Sequence, residues 1–173
     1  MQQYETMTPS TEGRELLEEK EQLAKKQRFG ANVFYVIAIL SLVNSAIMMA
    51  GMNLSFHIGL GITKLADAVT VVATEDGSAG AASVGAFAFF VGIGAVGLFF
   101  LFGVFAKKKH LWAYVVGMIC YALDGLILLM ADDYRSMGVH ALALIALFIG
   151  LSARNQLVKL ENRRVVRQPV AHQ

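Results

Sequence analysis

Hydrophobic residues are grouped in four long stretches, with a long segment after the first stretch and short ones after the second and third. The stretches cover residues 31–51, 83–106, 111–131 and 137–153. A bilayer core of about 30 Å needs about 20 helical residues at 1.5 Å each, with a lower limit of about 17. Every stretch reaches that limit, so we predict an all-α membrane protein with four transmembrane helices. The short connections after the second and third stretches favour an antiparallel bundle.

A shorter element is predicted between the first and second stretches. Its apolar residues recur at intervals of four and three, at Ile58, Ile62, Leu65, Val69 and Val72. This spacing is typical of an amphipathic helix, which we place at 57–73. The helix is too short and too polar to span a bilayer. We therefore expect it in the first outer loop, on the outer surface or as a cap on the bundle.

The two ends of the chain are polar. Residues 1–12 have the composition of a disordered tail, and 12–28 are rich in Glu, Leu, Lys, Gln and Ala, which favour helix. We predict three regions: a tail with a helix at 1–30, a four-helix transmembrane domain at 31–153 and a basic tail at 154–173.

Lys and Arg lie almost entirely in the segments on one side of the predicted membrane. Five lie within 1–30, three at 107–109 and five within 154–173, which is 13 of the 15 basic residues. Only Lys64 and Arg135 lie in the segments on the other side. Because cytoplasmic segments carry the excess of Lys and Arg, we predict that both termini face the cytoplasm. The hydrophobic fraction of 56% is above that of soluble domains.

A few polar residues fall inside the predicted spans. Asp124 lies about 10 Å from the outer end of its span, and a carboxylate in hydrocarbon is costly unless it is partnered. Lys64 and Asp67 are further candidates if the amphipathic helix caps the bundle. Asn44 is expected at nearly the same depth as Asp124, and His140 and Tyr121 within reach of it. The candidate buried polar cluster consists of Asp124, Asn44, His140, Tyr121, Ser41 and Ser45.

This cluster has two interpretations. It is a structural clamp that fixes the register of the helices, or it is a protonatable site for a transported ion or small ligand. We predict no catalytic, cofactor-binding or metal-binding residues. The single cysteine, Cys120, excludes an intramolecular disulfide and a cysteine-based structural zinc site. Gly92, Gly94 and Gly97 match a dinucleotide-binding motif, but they lie within an apolar run and lack its strand and exposed turn.

Three segments resemble parts of small bacterial inner-membrane proteins that have four helices and no known activity. The segments are FGANVFY at 29–35, GLGIT at 59–63 and YALDG at 121–125. The resemblance covers the first three predicted crossings. It implies a multi-pass protein of a bacterial inner membrane, and it brings no activity to this chain.

These observations favour a non-enzymatic membrane protein, an accessory, assembly or scaffold subunit of a membrane complex. The alternative is a small transporter or channel subunit that uses Asp124, and a third hypothesis is an intramembrane enzyme. The expected partners are another membrane protein or a second copy of this chain, together with anionic lipids that the basic tails attract. No nucleic-acid partner is expected.

The charge distribution makes a direct prediction about topology. Reporters fused at residues 1, 108 and 173 are expected to report the cytoplasm, and a reporter at residue 77 the outer side, because Lys and Arg resist translocation. Paired alkaline phosphatase and green fluorescent protein fusions measure this. A cytoplasmic signal at residue 77 would contradict four crossings.

Overall fold

The computed structural model describes residues 11–50, 60–76, 80–130 and 134–167. These segments form five helices and contain no strand. The helices are α1 (Thr11–Met49), α2 (Gly61–Asp76), α3 (Ala81–Lys107), α4 (Leu111–Met130) and α5 (Tyr134–Arg167). All except α2 are long and apolar enough to cross a membrane. The prediction of an all-helical protein with four candidate spans is therefore confirmed.

Two of the helices extend well beyond the predicted spans. The segment predicted as an N-terminal helix continues without a break into the first hydrophobic stretch, so that α1 has 39 residues. α5 has 34 residues and continues into the basic C-terminal region. The two extensions pack together through Leu23, Ala153 and Leu157, and Lys20 Nζ lies 3.8 Å from Glu161 Oε1. The remaining residues of the predicted tails, 1–10 and 168–173, lie outside the described residues.

The four long helices surround an aromatic interior. α1 and α4 each pack against both α3 and α5. The ring of Phe34 in α1 lies at the centre, with its centroid 6.3 Å from Phe99, 6.0 Å from Phe102 and 5.9 Å from Tyr114. Gly117 leaves the space that this ring occupies, since a Cβ there would lie 2.6 Å from Phe34 Cε1. Large rings thus fill this half of the bundle.

α1 and α5 approach each other most closely at two glycines. A Cβ at Gly30 would lie 2.5 Å from the Cα of Gly150, and a Cβ at Gly150 would lie 2.6 Å from the Cα of Gly30. Small residues of this kind let membrane helices pack backbone against backbone. A side chain on either glycine would overlap the backbone of the other helix, so the crossing requires glycine on both helices.

The short helix α2 begins inside the bundle. The N–H of Leu60 donates a hydrogen bond to Ser41 Oγ, at 2.7 Å. Ser41 lies eight residues before the end of α1 at Met49, which is about 12 Å along the helix. From there α2 runs along α3, where Ala66 Cβ lies 3.6 Å from the position of a Cβ on Gly92. The predicted helix at 57–73 therefore has its described counterpart at Gly61–Asp76, and residues 57–59, with Ile58, lie outside the described residues.

Leu65 and Val72 of α2 face outward, whereas Ile62 packs against the core. Leu65 is 49% exposed and Val72 is 65% exposed, whereas Thr63 and Ala66 are buried against neighbouring helices. The sequence left open whether this helix lies on the outer surface or caps the bundle. In the structure Lys64 and Asp67 are turned toward α5 and α1. An apolar outer face with a polar inner face is the arrangement that contact with lipid favours.

The glycine crossing predicts a stability effect. Gly150→Ala should lower the free energy of unfolding by about 1–3 kcal/mol, because its methyl group overlaps the backbone of α1. Gly94→Ala is the matched control, since a Cβ there meets no atom within 4 Å and alanine favours helix. Thermal melting in detergent compares them. Equal melting temperatures for the two variants would contradict the close approach.

Candidate functional site

The carboxylate of Asp124 accepts hydrogen bonds from the first turn of α2. The Gly61 N–H donates to Asp124 Oδ2 at 2.7 Å, and the Ile62 N–H donates to Oδ1 at 2.8 Å. The first N–H groups of a helix have no acceptor within the helix itself. Here α4 supplies that acceptor through Asp124, while α1 supplies Ser41 to the preceding N–H of Leu60. Side chains of two other helices therefore cap the start of α2.

Local sequence explains why these groups meet. Asp124 lies on the buried face of α4, at helical spacing from Gly117, Tyr121 and Leu128. Gly61 permits the approach of α2, because a Cβ on that residue would lie 2.9 Å from the backbone oxygen of Asp124. A larger first residue would push α2 away from α4. The hydrogen bonds at Asp124 therefore depend on glycine at position 61.

His140 completes the surroundings of the carboxylate. Its Nε2 lies 3.0 Å from Asp124 Oδ2, and the exposed fractions of the two side chains are 3% and 5%. The imidazole stacks on the ring of Tyr121, with centroids 3.9 Å apart and planes 14° apart. An ionised Asp124 requires Nε2 to carry a proton and donate it. The positive end of the α2 dipole lies at this carboxylate.

A second set of contacts fixes the polar side of α2 farther along its length. Ser45 Oγ donates to Asp67 Oδ2 at 2.9 Å, and Lys64 Nζ donates to Ser136 Oγ at 2.8 Å. Burial raises the pKa of the Asp67 carboxyl above its ordinary value, and the hydrogen bond from Ser45 opposes that rise. α2 is therefore linked to α1 through Asp67 and to α5 through Lys64.

The structure places the residues that the sequence singled out as follows. Asp124, His140 and Tyr121 are in contact, and Ser41 caps the neighbouring N–H group. Asn44 is buried, with 4% of its surface exposed. The partners missed from the sequence are the backbone N–H groups of residues 60–62. The glycines at the start of the predicted helix were the available signal for a close backbone approach.

Two buried atoms at this site have no hydrogen-bond partner within the described part of the chain. They are Tyr121 Oη and His140 Nδ1. In the same described segments, no group of three or more His, Cys, Asp or Glu residues is arranged to hold a metal ion. The described site offers a buried Asp–His pair with hydrogen-bonding capacity left at Tyr121 Oη and His140 Nδ1.

A comparison with protein-family models, curated proteins and solved structures finds no match for this chain. The geometry of the site and the pattern of the sequence are therefore the basis for a functional conclusion.

The hydrogen bonds at Asp124 predict a graded response to substitution. Asp124→Leu should be strongly destabilising, because two N–H groups and His140 each lose an acceptor at about 1–3 kcal/mol, part of which membrane proteins recover. Asp124→Asn should be milder, since its carbonyl oxygen still accepts one N–H and its amide can donate to His140. Thermal melting in detergent measures the order of stability, which we expect to fall from the wild type to Asp124→Asn to Asp124→Leu.

Glu75→Gln provides the control for loss of a carboxylate, because Glu75 is exposed on the same short helix. We expect it to melt like the wild type. If Asp124→Leu also melted like the wild type, the hydrogen bonds to α2 would not contribute to stability.

Proposed function

We propose that this chain is a non-enzymatic, multi-pass protein of a bacterial inner membrane that acts as an accessory, assembly or scaffold subunit of a membrane complex. One observation carries the proposal. Both oxygens of the buried Asp124 carboxylate are engaged by N–H groups of the chain's own α2. Such a carboxylate is suited to hold a structural element in place, and its role in this proposal is that of a clamp.

The proposed arrangement in the membrane has four antiparallel crossings with both termini in the cytoplasm. The register of α1 against α5 supports opposite directions, because Leu23 packs with Leu157 whereas Gly30 meets Gly150. The position of 13 of the 15 Lys and Arg residues supports the cytoplasmic location of the termini.

α2 is a re-entrant helix in this proposal. α2 begins at the depth of Ser41 in α1 and runs outward from there along α3. The outward position of Leu65 and Val72 supports contact with lipid. The inward position of Lys64 and Asp67 supports it as well, because their charged groups have partners on α5 and α1.

The interior on the cytoplasmic side of Asp124 favours the structural role over transport. The ring of Tyr121 contacts that of Phe99, with 5.8 Å between the centroids, and the rings of Phe34 and Phe102 pack behind Phe99. These rings fill the space between the described helices. An ion at Asp124 would have to displace several aromatic side chains to continue through a single chain.

A second candidate function is that of a small transporter or channel subunit with a proton or cation site at Asp124. The observation that favours it is the pair of buried atoms, Tyr121 Oη and His140 Nδ1, that have no hydrogen-bond partner within the described residues. A buried His with one nitrogen bonded to a carboxylate can exchange a proton through the other. This candidate requires movement of the aromatic rings or an oligomer.

Purification from the native membrane in a gentle detergent tests the main proposal. We expect a stoichiometric membrane partner to remain bound to the wild type and to Asp124→Asn, and to be lost from Asp124→Leu, in which α2 is released. A pure oligomer of this chain, with ion flux that Asp124→Asn abolishes without loss of stability, would contradict the proposal and favour the second candidate.

The re-entrant position of α2 predicts the accessibility of its residues. In a Cys120→Ala background, cysteines at positions 64 and 67 should react slowly with a membrane-impermeant thiol reagent, because both positions face neighbouring helices. A cysteine at the exposed position of Glu75 should react rapidly and is the control. Fast labelling at all three positions would place α2 in water on the outer surface.

A further inference from the structure

An apolar groove lies on the outside of the bundle between α4 and α5. Its volume is about 460 Å³. The groove is open to the surroundings, and Ile119, Ile145 and Phe148 are 54%, 57% and 61% exposed. It is lined by apolar side chains from the two helices: Met118, Ile119, Ala122, Leu144, Ile145 and Phe148.

The same face of α5 becomes polar and basic beyond the groove. Ser152, Asn155 and Lys159 follow Phe148 at intervals of four, three and four residues, which keeps them on one side of the helix. Arg154 is fixed beside them, because its Nε donates to the Lys109 carbonyl oxygen at 2.8 Å and its Nη1 donates to Asn155 Oδ1 at 3.0 Å. One end of the apolar groove therefore meets a cluster of hydroxyl, amide and cationic groups.

We propose that this groove binds one acyl chain of an anionic phospholipid, whose phosphate group contacts Lys159 and Arg154. The charge of the basic cluster complements the phosphate, and the apolar lining complements the hydrocarbon chain. The distance from Asn155 to Leu144 along α5 is about 16 Å, which accommodates most of an acyl chain. The site is independent of the proposed clamp at Asp124.

Charge also decides between a lipid and a second copy of the chain as the occupant. Two copies that are related by an axis along the membrane normal would place their Lys159 and Arg154 side chains at the same level. Like charges facing one another oppose such a contact. An anionic lipid meets the same cluster with opposite charge, and so the groove fits a lipid better.

Lipid binding to the full-length chain in detergent tests the proposal. The probes are phosphatidylglycerol and phosphatidylcholine with identical acyl chains, and the readouts are native mass spectrometry and the rise in melting temperature. We expect the wild type to bind phosphatidylglycerol at least about fivefold more tightly, which corresponds to one cationic contact with the phosphate. Inorganic phosphate alone should not raise the melting temperature.

Two variants, each with a matched control, locate the binding. Lys159→Gln should remove most of the preference for phosphatidylglycerol, whereas Lys25→Gln, which removes an exposed charge on α1, should retain it. Ala122→Phe should weaken binding of both lipids by filling the groove. Ala86→Phe, which enlarges an exposed alanine of α3, should not.

Several results would overturn the lipid site. These are equal affinity for the two lipids in the wild type, an equal effect of Lys25→Gln and Lys159→Gln, and unchanged lipid binding in a folded Ala122→Phe variant. Stabilisation by inorganic phosphate alone would identify a site for free anions instead. If Ala122→Phe fails to fold, the Lys159→Gln comparison still decides the proposal.

Discussion

The position of α2 depends on the hydrogen bonds between the Asp124 carboxylate and the N–H groups of Gly61 and Ile62. A helix that begins inside an apolar bundle exposes N–H groups that no water can satisfy, at a cost of about 1–3 kcal/mol for each. A carboxylate within hydrocarbon is also energetically costly, because it lacks hydrogen-bond donors. The hydrogen bonds between them therefore offset both penalties.

The two halves of the bundle are held by different forces. On the side of α2, the contacts are hydrogen bonds from buried polar groups, including Ser41, Asp124 and His140. On the other side, the contacts are the packed rings around Phe34 and the close crossing of Gly30 with Gly150. The polar half binds α2, and the aromatic rings of the other half fill the interior next to it. This combination favours a bundle in which the end that holds α2 is a fixed structural feature.

Sequence alone was sufficient for the long helices and for part of the site. Hydropathy predicts four helices of spanning length because a bilayer imposes that length on each of them. It also singles out Asp124 and His140, since ionisable residues are costly in such stretches. The N–H groups in the first turn of α2 were not predicted as partners of Asp124. Backbone N–H groups occur along the whole chain, so the sequence does not show which of them a buried carboxylate meets. The direction in which Leu65 and Val72 point was left open, because a periodic pattern does not reveal which face of a helix meets lipid.

Amide hydrogen exchange at Gly61 and Ile62 tests the central claim most directly. First-turn amides of a helix ordinarily exchange quickly, because they have no acceptor within the helix. In the full-length protein in detergent or nanodiscs, we expect both amides to be protected, and Asp124→Leu to accelerate their exchange by at least about tenfold while the amides of α4 stay protected. Rapid exchange at Gly61 and Ile62 in the wild type would contradict the capping of α2 by Asp124.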